Sequence, residues 1–173
     1  MCSSDLAAAA PHGYLPIDGL AAYDKAVQAE LFGADSDTVE GGRAVTVQAL
    51  GGTGGLKIGA DFLRRINPKA KVWISDPSWE NHRALFEYAG FTVNAYPYYH
   101  EETHGVNFDA MMATLNGLPA GDIVVLHACC HNPTGADLTP AQWERVIEVV
   151  NARSLVPFLD IADRKSTRLN SSH

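Results

Sequence analysis

The stretch Asp122 to Gly135, DIVVLHACCHNPTG, decides the architecture of the chain. Ile123, Val124, Val125 and Leu126 form an apolar run too short for a lone helix and rich in β-branched residues. That is the pattern of a strand buried on both faces near the middle of a parallel sheet. The chemistry changes at its end. His127, Cys129, Cys130, His131 and Asn132 crowd the carboxyl end of the strand, and Pro133-Thr134-Gly135 then forces a turn. Open α/β sheets bind their ligands at that end. Asn132 precedes a proline, which holds it in an extended or turn conformation and admits a cis bond, so the backbone aims its amide. Asn132 is the first candidate site residue, although an ordinary Asn-Pro turn leaves the same trace.

Upstream, Tyr14 to Gly19 (YLPIDG) reads as a loop leading into a helix over about Leu20 to Phe32, with Leu20, Tyr23, Val27 and Leu31 on one face. Arg43 to Leu50 alternates as a strand, with Val45, Val47 and Leu50 on its buried side. Gly51-Gly52-Thr53-Gly54-Gly55 follows and opens onto an amphipathic helix, Leu56 to Ile66. Unpaired N–H groups at a helix start, together with the helix dipole, favour an anion there, and glycines let a phosphate approach the backbone. Thr53 adds a hydroxyl donor. Lys57 does not follow a glycine, so the P-loop pattern is absent, and it occupies the last position of G-x-G-x-x-G, so the dinucleotide fingerprint fails too. Glycines that merely make a tight turn are the plainer reading.

Lys71 to Ser75 (KVWIS) is a short buried strand ended by Asp76-Pro77. A helix follows from Trp79 to Tyr88, with Ser78 as N-cap and Asn81 and His82 on its first turn. Trp79, at a strand's carboxyl end, offers a stacking platform for a flat ligand, while a Trp in plain core is the commoner case. Thr92 to Tyr99 carries a proline, so its strand ends there or lies at an edge. Phe108 to Leu115 is a helix. Beyond Gly135, Thr139-Pro140 opens another helix, with Trp143, Val146, Ile147 and Val150 as its apolar face. Val156 to Ala162 (VPFLDIA) is a further buried strand. Asp160 near its end has no cation beside it in sequence, and a carboxylate there requires a positive partner, either an arginine or a protonated ring nitrogen of a ligand.

Composition sets the frame. The 173 residues are one domain's length and 46% hydrophobic, enough for a substantial core. No apolar run reaches the ~18 residues of a membrane span, and the opening AAAAPHGY lacks a signal peptide's basic and apolar regions, so a cytoplasmic protein is expected. Three cysteines, two adjacent, make no disulfide framework, and Cys129-Cys130-His131 lacks the C-x-x-C spacing of a zinc loop; no metal is expected. A net charge of −7 without a Lys/Arg-rich run argues against nucleic acid and anionic membrane as partners and for a small molecule. Met1 to Leu6 and Asp163 to His173 read as foreign ends. The tail is polar, uncapped and without periodicity, and both resemble translations of a sequencing-library adapter, so the fold is expected within 7–162.

Taken together, YLPIDG, GGTGGLK, SDPSWENH, HACCHNPTGADLT and PFLDIA, in that order and spacing, resemble the class I, fold-type I pyridoxal-phosphate-dependent aminotransferases, in the branch acting on aspartate and aromatic amino acids. The resemblance covers Tyr14 to Ala162, and SDPSWENH with HNPTGADLT leans toward the aromatic members. It implies an α/β three-layer large domain around a mostly parallel sheet, incomplete here. It also implies amino-group transfer between an aromatic or dicarboxylic L-amino acid and a 2-oxo acid, with pyridoxal phosphate as cofactor, in a homodimer. By the same resemblance Gly52 and Thr53 bind the cofactor phosphate, Trp79 stacks on the ring and Asn132 bonds the ring's 3-oxygen. Asp160 is the catalytic carboxylate, pairing with the ring nitrogen and keeping the ring an electron sink. His82 supports Asp160, and Tyr14 reaches the phosphate of a neighbouring subunit.

Gly51 stands where many relatives have Ser, and Asp163 where the family has Tyr. None of Lys25, Lys57, Lys69 and Lys71 matches the lysine that bonds the cofactor, and the family's arginines for phosphate and substrate carboxylates are not matched. The chain is therefore expected to be an inactive portion of such an enzyme. A non-catalytic α/β module for a phosphorylated ligand is the alternative, and a nicotinamide dehydrogenase a weaker third.

Overall fold

The structure is a computed structural model that describes residues 13–162. The expectations for 1–6 and 163–173 lie outside the described residues. The chain divides into two compact units at Gly51/Gly52. In the first, α1 (Ala21–Phe32) ends on Gly33, whose φ of 87° and N–H bond to Ala29 O close the helix, and α2 (Asp37–Glu40) is capped by the Ser36 side chain. The apolar face expected of α1 is exposed: Leu20, Tyr23 and Leu31 are 49%, 52% and 42% accessible while Asp24 is buried. The strand expected over Arg43 to Leu50 is not formed. Val45, Val47 and Leu50 are exposed, and the segment is tied instead to its own unit, by Gln28 Nε2 to Thr46 Oγ1 (2.9 Å) and by Gln48 N to Asp18 O (2.9 Å). Alternation needs a neighbouring ladder to become a strand, and among the described residues this segment has none.

The second unit is built on a four-stranded sheet of β1 (Val72–Asp76), β2 (Val93–Pro97), β5 (Ile123–Cys129) and β6 (Val156–Ile161). Its order is β2-β1-β5-β6 and every pairing is parallel. A two-residue pair, β3 (Tyr99–His100) and β4 (Gly105–Val106), lies outside it. As the unbroken apolar run requires, β5 is an interior strand buried on both faces, and Pro97 ends β2 at the sheet edge, where its missing donor is harmless.

Helices cover both faces. Val124 and Leu126 pack with α5 (Phe108–Gly117) and α6 (Pro140–Ala152), against Met111, Leu115, Val146 and Val150. Ile123 and Val125 point the other way, to Ala60 of α3 (Gly51–Ile66) and Phe86 of α4 (Glu80–Tyr88). The result is the expected three-layer α/β fold. In α6, Thr139 is the N-cap and Pro140 the first helical residue, as expected, and Gln142 completes a reciprocal capping box with Thr139. Ile147, expected on its buried face, is 54% exposed.

Two details set the sheet. Asp122, 5% exposed, accepts from Lys71 N (3.0 Å) and Trp73 Nε1 (2.9 Å), so one carboxylate joins the starts of β1 and β5. At the other end of β5, the register with β6 shifts between His127 and Cys129, a bulge that re-aims the side chains there. No helix among the described residues is long and apolar enough to cross a membrane.

Candidate functional site

The carboxyl ends of β1, β5 and β6 and the start of α3 surround a cleft of about 530 Å³ lined by Gly52, Trp79, His127, Cys130, Asn132 and Asp160, among others. From its lining residue His127 a row of rings runs into the fold. His82 and His127 lie 4.9 Å apart by centroid and His127 and His131 4.2 Å apart, and His131 stacks on Tyr98 at 3.9 Å with 9° between planes. Trp79 meets His82 edge-on at 5.4 Å.

Among the described residues, the group that meets Asp160 is a histidine. His82 Nε2 stands 2.9 Å from Asp160 Oδ2, and Ser78 Oγ stands 2.9 Å from His82 Nδ1. Ser78 is therefore not the helix cap expected of it: α4 starts at Glu80 with Trp79 as N-cap, and the serine hydroxyl is spent on the histidine. Because a carboxylate only accepts, Nε2 carries the proton in this contact and Nδ1 takes one from Ser78. The hydrogen bond from His82 holds the Asp160 carboxyl below its ordinary range, against the opposing effect of burial. An ionised carboxylate thus faces the cleft, fixed from behind.

His127 is paired in register with Asp160 across the β5–β6 ladder and is 8% exposed, yet neither ring nitrogen has a hydrogen-bond partner among the described residues. Burial, then the neighbouring His82, pushes it down to about 4, so at neutral pH it is an uncharged imidazole.

His131 has the opposite character. It is 2% exposed and lowered to about 4, chiefly by burial, with Nε2 2.9 Å from Ser75 Oγ and Nδ1 2.8 Å from Thr134 Oγ1. Both Asp137 oxygens accept from the backbone, from Cys130 N at 2.9 Å and His131 N at 2.8 Å. Gly135, at φ 68°, returns its N–H to His131 O at 2.7 Å. Cys130 itself sits at φ 53°, and the Asn132–Pro133 bond is cis, as is Asp76–Pro77. This turn carries the exposed Asn132 into the cleft lining.

The glycine loop is folded into α3, whose first turn is Gly51-Gly52-Thr53-Gly54; the helix begins five residues earlier than the apolar period announced. The period is silent over residues without side chains, whereas the backbone bonds are not. A Cβ at Gly52 would meet nothing within 4 Å, so the first turn of the helix is open where Gly52 lines the cleft.

Gly52, Trp79, Asn132 and Asp160 are thus brought together on one cleft, with His82 behind Asp160 and Thr53 exposed on the same turn as Gly52. Tyr14 belongs to the other unit and is fully exposed. The residues fit a flat, phosphorylated, basic heterocycle: an anion seat at a helix start, an indole, an amide and an ionised carboxylate. Sequence reasoning gave no role to His127, His131, Asp137 or Ser75. They act through strand register and turn closure, which the linear order hides.

A parallel α/β sheet with a helix start, an indole and a strand-end carboxylate on one cleft has the arrangement of a cofactor-binding domain. The chain belongs to the class I and II aminotransferases, whose family model matches residues 5–162. It is 56% identical over 157 residues to the tyrosine aminotransferase of Klebsiella pneumoniae, covering 89% of this chain and 40% of that protein. It is 61% identical over 153 residues to the aspartate aminotransferase of Pseudomonas aeruginosa, covering 88% and 38%. Among solved structures, the aromatic-amino-acid aminotransferase of Burkholderia pseudomallei, covalently bound to pyridoxal phosphate, superposes with a TM-score of 0.90 at 70% identity over 91% of this chain and 40% of that one. The chain therefore spans about 40% of the length of these relatives.

Proposed function

We propose that this chain is the cofactor-binding portion of a pyridoxal-phosphate-dependent aminotransferase that moves an amino group between an aromatic or dicarboxylic L-amino acid and a 2-oxo acid. The observation that carries the reading is the ionised Asp160, fixed by His82 on the cleft that also holds Gly52, Trp79 and Asn132. Gly52 and Thr53 hold the phosphate, Trp79 stacks on the ring, and Asn132 donates to the 3-oxygen. Asp160 pairs with the ring nitrogen. When bound, the cofactor supplies an electron sink for bonds to the substrate's α-carbon.

The chain's own residues keep that sink effective. Asp160 holds a proton on the ring nitrogen because its carboxyl is kept ionised, and His82 keeps it ionised by donating from Nε2 while Ser78 fixes the ring from Nδ1. Asp137 and His131 fix the turn that aims Asn132. In the same reading the protein is a cytoplasmic homodimer in which Tyr14 reaches the phosphate of the neighbouring subunit. The absence of a disulfide framework in the sequence and the exposure of Tyr14 support this.

The test is a protein carried to its relatives' length, purified with pyridoxal phosphate and assayed with tyrosine, phenylalanine and aspartate against a dicarboxylic 2-oxo acid. Transfer from at least one of the three, with cofactor absorbance in the visible, is expected. Phosphorylated-ligand binding with no transfer would overturn the reading in favour of a binding module.

A further inference from the structure

A ring nitrogen of His82, a ring nitrogen of His127 and a carboxylate oxygen of Asp160 lie within 4.8 Å of one another. They are carried by three elements, α4, β5 and β6, so the C-x-x-C spacing that a single metal loop would need does not bear on them. His82 is wholly buried, and His127 is more than nine-tenths buried with neither nitrogen hydrogen-bonded among the described residues. Buried polar groups are nearly always partnered, so an imidazole in this state points to a ligand. The β5–β6 register holds it opposite an ionised carboxylate, on a cleft open to solvent.

We propose that in the cofactor-free protein His82, His127 and Asp160 bind a divalent transition-metal ion of the zinc type. The ion and a protonated ring nitrogen are alternative positive partners of Asp160. Two imidazoles and one carboxylate are a ligand set suited to zinc and cobalt, and the cleft leaves the fourth position to water. Bonds of about 2.0–2.2 Å in a tetrahedral site set the donors roughly 3.4 Å apart. The His82–Asp160 pair at 2.9 Å opens slightly and His127 closes on it. Protons balance without release: the proton on His82 Nε2 moves to Nδ1, and Ser78 Oγ, 2.9 Å away, turns from donor to acceptor. That leaves His82 with the outer hydrogen bond characteristic of a metal-bound histidine.

The metal site stands on these three residues, and only its exclusion by pyridoxal phosphate rests on the aminotransferase reading. The experiment is a titration of the 173-residue chain with Co²⁺ at neutral pH, followed by visible d–d absorption. One saturating equivalent with tetrahedral intensity is expected, and affinity at least tenfold weaker in His127→Ala. On the unaltered chain, Zn²⁺ should shift the ring ¹⁵N resonances of both His82 and His127, which decides the matter if the variant does not fold. The proposal is overturned if Co²⁺ binding does not saturate or is undiminished in a folded His127→Ala. It is equally overturned if Zn²⁺ moves only the rings of His100 or His104. Pyridoxal phosphate at saturation should block Co²⁺; simultaneous, unweakened binding of both would end the claim of exclusion. Failure of pyridoxal phosphate to bind at all would count against the aminotransferase reading while the metal result stands.

Discussion

His127 and Asp160 are register partners across the parallel strands β5 and β6, and they meet at the point where the ladder is about to slip by a residue. The pair places a neutral imidazole beside an anion that His82 already engages from the neighbouring helix. The carboxylate is therefore held on the protein side and open on the cleft side.

In a protein of full family length, Asp160→Ala should lower kcat/KM for transamination on the order of a thousandfold, because a charge-assisted contact to the ring is worth several kcal/mol. Cofactor affinity should fall far less, since the phosphate and stacking contacts remain. Paired measurements of kcat/KM and cofactor dissociation check this, and near-normal turnover would make the carboxylate structural.

Trp79→Phe should be mild by comparison, with no more than about a tenfold loss, because a smaller ring keeps part of the stacking. The informative readout is cofactor dissociation. A loss matching that of the Asp160 variant would mean the indole does more than stack.

Acid should destabilise the chain well before its carboxylates titrate. His127 and His131 are lowered from 6.5 to about 4, so the unfolded state binds more protons than the folded state between those values. The stability they provide is complete above pH 6.5 and is lost as pH falls toward 4. The slope is up to about 1.4 kcal/mol per pH unit for each ring. Asp160, also lowered, adds its loss at still lower pH. Urea midpoints at pH 7.5 and 5 should differ clearly, and equal midpoints would mean that neither ring is buried neutral.

Gly59→Ala should destabilise the second unit by about 1–2 kcal/mol, overpacking exceeding the gain in helix propensity. The new Cβ would stand 2.9 Å from Phe158 Cε2, and that ring is braced edge-on against Phe86 at 5.2 Å, so it has little room to yield. Adding Phe158→Leu should recover part of the loss. Additive effects in the double-mutant cycle would show that the two positions do not touch.

Most of the sheet was legible because apolar runs flanked by Pro, Gly and Asp are decisive for strands buried between helices, as with Ile123 to Leu126 and Val72 to Ser75. In the first unit the helix Ala21–Phe32 was legible, but its surroundings were not. Val45 and Val47 alternate without a ladder to join, and α1 shows an apolar face that nothing among the described residues of its own unit covers. At the site, Asn132, Trp79, Asp160 and Gly52 announced themselves by their place at element ends. His127 did not, because its significance lies in facing Asp160 across a register that only the folded sheet defines. Ser78 misled, since a serine before a helix has two uses and the histidine one turn on took it.

The carboxylate of Asp122 sits at the opposite end of β5 from all this chemistry, where it ties Lys71 N and Trp73 Nε1 to the strand's first residues. A seven-residue strand runs about 23 Å, so this tie works as the zero mark of a ruler whose far graduations are His127 and Asn132. Errors of alignment introduced at the zero mark would be read out undiminished at the cleft. A substitution far from any ligand would then present as a defect of the site, and a survey confined to cleft-lining positions would look for its cause in the wrong place.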